Sequence, residues 1–215
     1  MKIILLCLTA YLLGAIPSGV WIGKLFFNTD IRNKGSQNIG TTNTFRVLGK
    51  KAGAVVFILD VLKGAIATAL PLFFHLNISP LYFGLLAILG HSCSIFIRFK
   101  GGKAVATSAG MLIVYQPILC LILFAIFLIT LYLTSMVSFS SVTVCVFAVI
   151  FVFIFPILNA PFLSEINWLF NIIVLGLASF IIFRHQGNLK RIRQKDENTV
   201  SFGLNLTKQK TFKKL

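Results

Sequence analysis

Residues 104–183 form a long apolar stretch that contains no lysine or arginine and a single acid, Glu165. In the whole chain, 57% of residues are hydrophobic and only 12% are charged, whereas about a quarter are charged in a typical soluble domain. Such a chain would expose more apolar surface than a soluble fold can bury, so the bilayer is its natural solvent. We therefore interpret it as an all-α, polytopic membrane protein.

Three further apolar spans precede this stretch, at residues 3–27, 52–75 and 79–98. Lysines and arginines cluster between and after the spans, in residues 28–51, in residues 98–103 and from Arg184 onward. The positive-inside rule predicts that all three basic segments are cytoplasmic. The number of crossings between the last two must then be even, and four helices of about 20 residues fill the stretch. Turn signals at Gln116-Pro117, at Ser135 to Ser138 and at Pro156 to Pro161 would separate these four helices.

The sequence thus predicts seven transmembrane helices, with the N-terminus outside and the C-terminus in the cytoplasm. The helix at about residues 104–115 is short, so an incomplete crossing is the alternative there. The apolar character of the N-terminus continues past Pro17 to Phe27, which favours a first spanning helix over a cleaved signal peptide.

The net charge of +15 would suggest nucleic acid in a soluble protein. Here the charges lie between spans, and we expect anionic ligands and no nucleic-acid partner.

The first polar segment, motif 1, comprises residues 35–46 with the sequence GSQNIGTTNTFR. Glycines and short polar residues let backbone N–H groups converge on an anion, and hydroxyls and an arginine complete a phosphate cradle. The candidate residues are Gly35, Ser36, Asn38, Thr41, Thr42, Asn43 and Arg46. On composition alone, an ordinary polar loop is the alternative interpretation.

The second segment, motif 2, comprises residues 99–107 with the sequence FKGGKAVAT. Gly101, Gly102 and Lys103 stand directly before an apolar helix, whose N-terminus favours anions through its N–H groups and dipole. The alternative is a flexible turn whose lysines only set the topology.

The third segment, motif 3, comprises residues 184–191 with the sequence RHQGNLKR. If the last membrane helix continues through it, His185 and Asn188 share one face. By itself the segment is also typical of a basic juxtamembrane stop.

Ionisable residues also lie inside the apolar spans. Asp60 and Lys63 are three residues apart and can pair on one helical face. A charge at this depth indicates a functional site, and the alternative is a self-neutralising structural pair. His91 fits a hydrogen-bonding role inside a helix bundle.

These segments resemble the three cytoplasmic motifs of the bacterial acyl-phosphate:glycerol-3-phosphate acyltransferases, an integral membrane family. The resemblance extends through GHSCSIFIRFKGGKAVAT around motif 2 and through Asp60-Val61-Leu62-Lys63-Gly64. It implies one membrane domain over residues 1–195, with a basic cytoplasmic tail over residues 196–215 in which Glu197 matches a family acid. It also implies a bacterial inner-membrane location with the active site facing the cytoplasm.

The resemblance implies transfer of an acyl group from acyl phosphate to the 1-hydroxyl of glycerol 3-phosphate. It implies catalytic roles for five residues, Ser36, Arg46, Lys103, His185 and Asn188. It implies substrate contacts for Gly35, Asn38, Thr41, Thr42, Asn43, Lys63, Gly101, Gly102 and Glu197. Because acyl phosphate is already an activated anhydride, we expect no metal or other cofactor. The general base is either His185 or a substrate phosphate.

The sequence departs from the family pattern at three positions. Gln37 and Thr41 replace the usual Gly and Ala, and Ala104 replaces a common third glycine. The chain has no HxxxxD sequence, which argues against the acyltransferases that use a His-Asp pair on thioester donors. A transporter of a phosphorylated anion is the rival interpretation, but it predicts a polar path and often an inverted repeat, and the sequence shows no such repeat.

Overall fold

The computed structural model describes residues 1–210, and within them all helices and turns build an all-α architecture, as predicted. The ten α-helices are α1 (Lys2–Ala15), α2 (Ser18–Phe27), α3 (Thr41–Leu48), α4 (Lys50–Phe73), α5 (Pro80–Ser92), α6 (Val105–Tyr115), α7 (Pro117–Thr134), α8 (Val137–Ile157), α9 (Trp168–Arg184) and α10 (Gln186–Arg193). Short 3-10 turns follow α2 and α5, at Ile31–Asn33 and Ile95–Ile97.

Four apolar segments are long enough to cross a membrane: α4, α5 with its 3-10 turn, α7 and α8. The number rises to six if the bent pairs α1–α2 and α9–α10 each count as one span. Helix α6 has 11 residues and is therefore about 17 Å long, short of the hydrocarbon thickness of about 30 Å. The count of seven crossings and the orientation of the termini stay predictions.

The helix boundaries agree with the predicted turns and differ at two other places. Helices end or begin at Gln116–Pro117, around Ser135 and after Ile157, where the sequence indicated turns. The first apolar span, however, bends by 52° between α1 and α2, because Pro17 cannot continue the helical hydrogen bonding. Motif 1 also contains a helix, α3, that its polar sequence did not indicate.

The chain divides into two compact units, which meet in sequence at residues 117 and 118. In the first unit, α1 packs on α5 and α4 packs on α6. A Cβ atom at Gly14 would overlap the backbone of Ala87, and one at Gly64 would overlap the backbone of Thr107. These glycines let the helix backbones approach closely, which is how membrane helices gain packing energy without a hydrophobic driving force.

In the second unit, α8 packs on α9, and α10 contacts both. The chain after Lys195 binds the turn between α7 and α8 through its backbone. The N–H of Val200 donates to the Ser135 carbonyl at 2.8 Å, and the N–H of Leu204 donates to the Tyr132 carbonyl at 2.7 Å. The domain boundary at residue 195 and the cytoplasmic location of the tail stay predictions, and residues 211–215 of that tail lie outside the described part.

Candidate active site

Motif 1 is organised around the side chain of Asn43, which is only 1% exposed. Its Nδ2 donates to the carbonyl oxygens of Ile31 at 2.8 Å, Asn38 at 2.8 Å and Lys34 at 3.2 Å. Its Oδ1 accepts the backbone N–H of Ser36 at 2.8 Å. The amide therefore uses its donors and its acceptor on the loop itself. Asn43, predicted to contact substrate, holds the loop that presents Ser36.

The backbone of motif 1 turns sharply just before Ser36. Gly35 has a φ of +61°, in the left-handed region that glycine adopts without strain. A Cβ atom there would also overlap Oδ1 of Asn43. Gln37 has a φ of +60° as well, so the side chain of Ser36 is exposed at the tip of the turn.

The remaining candidates of motif 1 lie in or beside α3. Oδ1 of Asn38 accepts the N–H of Gly40 at 3.2 Å, immediately before the helix begins. Thr41 and Thr42 form the first turn of α3, and Arg46 lies in its last turn, partly buried. The hydroxyls of Thr41 and Thr42 and the guanidinium of Arg46 are thus about one helical turn apart along α3.

A charged pair precedes motif 1. Arg32 binds the Asp30 carboxylate through Nη2 at 2.6 Å and Nε at 2.9 Å. The hydrogen bonds from the Arg32 side chain hold the pKa of Asp30 well below its ordinary range, and the same pairing raises the pKa of Arg32. The negative charge of Asp30 is therefore balanced within its own turn.

In motif 2, the glycine amides are used inside the protein. The N–H of Gly101 donates to the Ser92 carbonyl and the N–H of Gly102 donates to the His91 carbonyl, each at 3.1 Å. A Cβ at Gly101 would overlap these two carbonyls, and one at Gly102 would overlap the His91 ring. The two glycines therefore allow the turn to pack against the end of α5.

The start of α6 follows these two glycines. Ala104 adopts the left-handed conformation, with a φ of 60°, and provides no side-chain cap for α6. The first N–H groups of a helix have no intrahelical acceptor and attract anions. Lys103, partly buried, immediately precedes this helix start. The family's usual glycine would adopt the conformation of Ala104 without strain.

Buried hydroxyls around motif 2 were not singled out from the sequence. The side-chain oxygens of Ser92, Thr107 and Ser108 are buried and make no hydrogen bond to any of residues 1–210. Buried polar groups are normally satisfied, so these hydroxyls mark a polar region beside Gly101 and the start of α6. No sequence signal distinguishes them from the small residues that pack membrane helices.

Lys63, predicted to contact phosphate, is buried at the middle of α4. Its Nζ lies 2.8 Å from Oδ1 of Asp60 and donates to the Ile16 carbonyl at 3.0 Å. The structure thus gives Lys63 two internal partners.

In motif 3, His185 lies at the junction where α9 and α10 meet at a bend of 56°. The last membrane helix therefore does not continue straight through motif 3, and His185 is the residue between α9 and α10. The ring is 3% exposed, and Nδ1 lies 2.8 Å from the Ile181 carbonyl oxygen. A carbonyl only accepts hydrogen bonds, so we assign the proton to Nδ1. In the neutral ring the lone pair is then on Nε2.

Asn188 and Glu197 belong to one buried hydrogen-bond cluster. Nδ2 of Asn188 donates to Oε1 of Glu197 at 2.7 Å, and the Ser138 hydroxyl donates to the same oxygen at 3.0 Å. Nε of Arg191 donates to Oε2 of Glu197 at 2.8 Å, and the Glu197 backbone N–H donates to Oε1 of Gln209 at 3.1 Å. The carboxylate, 4% exposed, therefore joins motif 3 to α8 and to the tail.

The whole chain is similar to known proteins. The family model described as glycerol-3-phosphate acyltransferase matches residues 4–195. The glycerol-3-phosphate acyltransferase of Lactococcus lactis subsp. lactis (strain IL1403) is 56% identical over 211 residues, covering 98% of this chain and 99% of the relative. That of Streptococcus pneumoniae (strain CGSP14) is 56% identical over 207 residues, covering 96% and 97%.

Two solved structures share the fold. The crystal structure of PlsY (YgiH), an integral membrane glycerol 3-phosphate acyltransferase, in its glycerol 3-phosphate form has a TM-score of 0.83 and 34% identity, and 94% of this chain and 96% of that one are covered. The lysophosphatidic acid form has a TM-score of 0.79 and 32% identity, with the same coverage. The chain is an integral membrane acyltransferase and belongs to the glycerol-3-phosphate acyltransferase family.

Proposed function

We propose that this protein transfers a fatty acyl group from acyl phosphate to the 1-hydroxyl of sn-glycerol 3-phosphate. The hydroxyl oxygen attacks the acyl carbonyl carbon, the bond from that carbon to the phosphate oxygen breaks, and inorganic phosphate leaves. The other product is 1-acylglycerol 3-phosphate, a precursor of membrane phospholipids. The hydroxyl proton passes to a base or to phosphate.

The identity of the relatives supports the acceptor and the product. Relatives at 56% identity are named glycerol-3-phosphate acyltransferases. The solved relative was crystallised in a glycerol 3-phosphate form and a lysophosphatidic acid form, which correspond to the acceptor and the product proposed here.

The absence of HxxxxD from the sequence supports the donor. The residues five positions after His75, His91 and His185 are Pro80, Phe96 and Lys190, so no histidine is followed by the aspartate of the thioester-dependent enzymes. An acyl phosphate donor brings its own leaving group, and the protein's task is to hold two phosphates and stabilise the oxyanion.

The side chains divide this work by their chemistry. Arg46 supplies a planar fork that suits phosphate oxygens, and Lys103 supplies a point charge beside the uncapped start of α6. These groups neutralise substrate phosphate, while the exposed Ser36 hydroxyl offers a hydrogen bond to substrate. We assign Asn43 and Glu197 to positioning, because their polar atoms bind the loop and motif 3 respectively.

His185 orients the acceptor in this proposal. With its proton on Nδ1, the neutral ring accepts the substrate hydroxyl's hydrogen at Nε2. Because the donor is activated and phosphate groups are present to receive the proton, orientation is sufficient for the reaction.

We also propose seven crossings of a bacterial inner membrane, with the N-terminus outside. Although α6 is short, we count it as one crossing, because the number of crossings between the basic segments at motifs 2 and 3 must be even. The basic segments at motifs 1, 2 and 3 are then cytoplasmic, where the active site meets soluble glycerol 3-phosphate. Single cysteines at Ser36, Lys100 and Gln186, which are exposed positions in motifs 1, 2 and 3, should react only with an impermeant reagent supplied from the cytoplasmic side. The background is a variant that lacks the four native cysteines. Labelling of any of the three from outside would contradict this topology.

The reaction is tested with purified protein and glycerol 3-phosphate, with acyl phosphate, acyl-CoA or acyl carrier protein as donor. We expect acyl phosphate alone to support formation of 1-acylglycerol 3-phosphate, identified by mass spectrometry, and activity that persists with a metal chelator. Turnover that requires a thioester donor, or that stops with the chelator, would overturn the proposal. An Arg46→Ala variant serves as the inactive control.

A further inference from the structure

A buried ionic cluster lies in the first unit, where α4 passes the break between α1 and α2. Nζ of Lys63 is 2.8 Å from Oδ1 of Asp60, and neither side chain is more than 6% exposed. The Ser18 hydroxyl, at the start of α2, donates to the same carboxylate oxygen at 3.1 Å. Charges at this depth are costly to bury and persist where they meet a specific requirement.

One requirement for the buried charge comes from the break between α1 and α2, where backbone carbonyls need hydrogen-bond donors. Pro17 removes one N–H from the hydrogen-bond ladder between α1 and α2. Nζ of Lys63 donates to the carbonyl of Ile16, and the Ser94 hydroxyl donates to the carbonyl of Ala15. A cation at the C-terminal end of α1 also interacts favourably with the helix dipole. Asp60 then balances the charge of Lys63.

His91 connects this cluster to motif 2. Its Nδ1 lies 3.9 Å from Oδ1 of Asp60, whereas a Cβ atom at Gly102 would overlap its Nε2. The ring therefore lies between the carboxylate and the glycine turn, with one nitrogen toward each. The backbone carbonyl of His91 also accepts the N–H of Gly102 at 3.1 Å, so both parts of the residue hold the turn.

We propose that His91, packed between the Asp60 carboxylate and the glycine turn, is a positioning residue that sets the place of Gly102, Lys103 and the start of α6. The inference rests on the proposed function, which assigns phosphate binding to Lys103 and to that helix start. On this account residue 102 is glycine because the His91 ring occupies the space of a side chain. The alternative cause is that residue 102 is glycine because the substrate phosphate must approach the backbone closely there.

A double-variant experiment distinguishes these two reasons for glycine at residue 102. The three atoms nearest to a Cβ at residue 102 all belong to the His91 ring. Gly102→Ala should displace the turn and raise the KM for glycerol 3-phosphate, and a displacement of 1 Å would lower kcat/KM by about 10²-fold. The double variant Gly102→Ala with His91→Ala removes the overlap. We expect it to have a lower KM and a higher melting temperature than Gly102→Ala alone.

A double variant at least as impaired as Gly102→Ala in both KM and melting temperature would overturn the inference. The conservative variant His91→Gln tests the ring's role if His91→Ala expresses poorly. We expect His91→Gln to keep kcat and raise KM, because a positioning residue does not touch the reacting atoms. Loss of kcat at an unchanged KM would also contradict the assignment.

Gly84→Ala is the matched control in the same unit. A Cβ at Gly84 would meet the flexible side chain of Met111 and the hydroxyl of Thr68, both outside motif 2. This variant should lower the melting temperature without changing the KM. The melting temperatures also separate the two proposals. Their recovery in the double variant tests the packing of His91 on Gly102 even if the wild-type protein does not use acyl phosphate.

Discussion

The side-chain amide of Asn188 donates a hydrogen bond of 2.7 Å to Glu197, nine residues further along the chain. Asn188 belongs to motif 3, whereas Glu197 lies beyond residue 195, where the match to the family model ends. The acid reaches motif 3 because the chain turns back after α10 and binds the turn between α7 and α8. The part of the tail next to α10 is therefore part of the structure that orients motif 3.

Glu197→Ala should destabilise the second unit. It leaves Asn188, Arg191 and Ser138 without their shared acceptor. Of these, the Ser138 hydroxyl is buried, and an unsatisfied buried group costs about 1–3 kcal/mol. We expect a lower melting temperature in detergent and reduced activity. Asp196→Asn is the matched control, because its carboxylate is 62% exposed and lies 3.8 Å from Lys210. Equal melting temperatures for the two variants would exclude a structural role for Glu197.

Asn43→Asp, which introduces a charge, should disrupt motif 1 more than Asn43→Ala, which truncates the side chain. In Asn43→Asp a carboxylate would face the carbonyl oxygens that Nδ2 now binds, whereas Asn43→Ala only removes the hydrogen bonds. We expect both variants to lose activity, with Asn43→Asp the less stable, as measured by proteolysis of the loop and by melting temperature. Asn33→Ala, at an exposed asparagine before the motif, should behave as wild type. An active, stable Asn43→Asp would contradict this role.

Arg46→Lys should reduce acyl transfer with the fold intact. The substitution keeps the positive charge but replaces a planar bidentate donor by a point charge. We expect the loss to appear in kcat/KM at an unchanged melting temperature. Arg193→Lys, at an exposed arginine in α10, is the control for a general effect of the exchange. Wild-type kinetics in Arg46→Lys would mean that Arg46 contributes only to topology.

Substitutions of His185 separate a general base from an orienting group. His185→Asn keeps a donor near the Nδ1 position, which can still bind the Ile181 carbonyl, and His185→Gln instead keeps a polar atom near Nε2. If Nε2 only orients the acceptor, His185→Gln should retain more activity and raise the KM for glycerol 3-phosphate, with the pH–rate profile unchanged in shape.

If His185 is the general base, both variants should lose about 10²–10⁴-fold in rate. The acid limb of the pH–rate profile, where protonation of the base reduces the rate, should then disappear. We expect the orienting outcome. Loss of the acid limb at an unchanged KM would contradict it.

The apolar helices could be predicted from the sequence because hydropathy is a local property. The absence of lysine and arginine between residues 104 and 183 requires membrane crossings whatever the helices contact. The helix ends near Pro117, Ser135 and Pro156 could also be predicted, because these residues interrupt or end a helix through their local backbone conformation. The three motifs were also recognisable, because each is a short contiguous run.

The roles of single residues within the motifs depended on contacts that are distant in sequence. Lys63 meets a carbonyl 47 residues away, and Glu197 meets a serine 59 residues away. Neither pairing has a local signature, since a buried lysine can serve a ligand or a helix end equally well.

The sequence by itself determined that this protein is an all-α membrane protein and to which family it belongs, because these depend on composition and contiguous motifs. Only the tertiary structure decided which polar groups remain for chemistry. The amides of Asn43, Gly101 and Gly102 bind the chain itself, and a hydrogen-bonding group already satisfied by the protein has less capacity for a ligand.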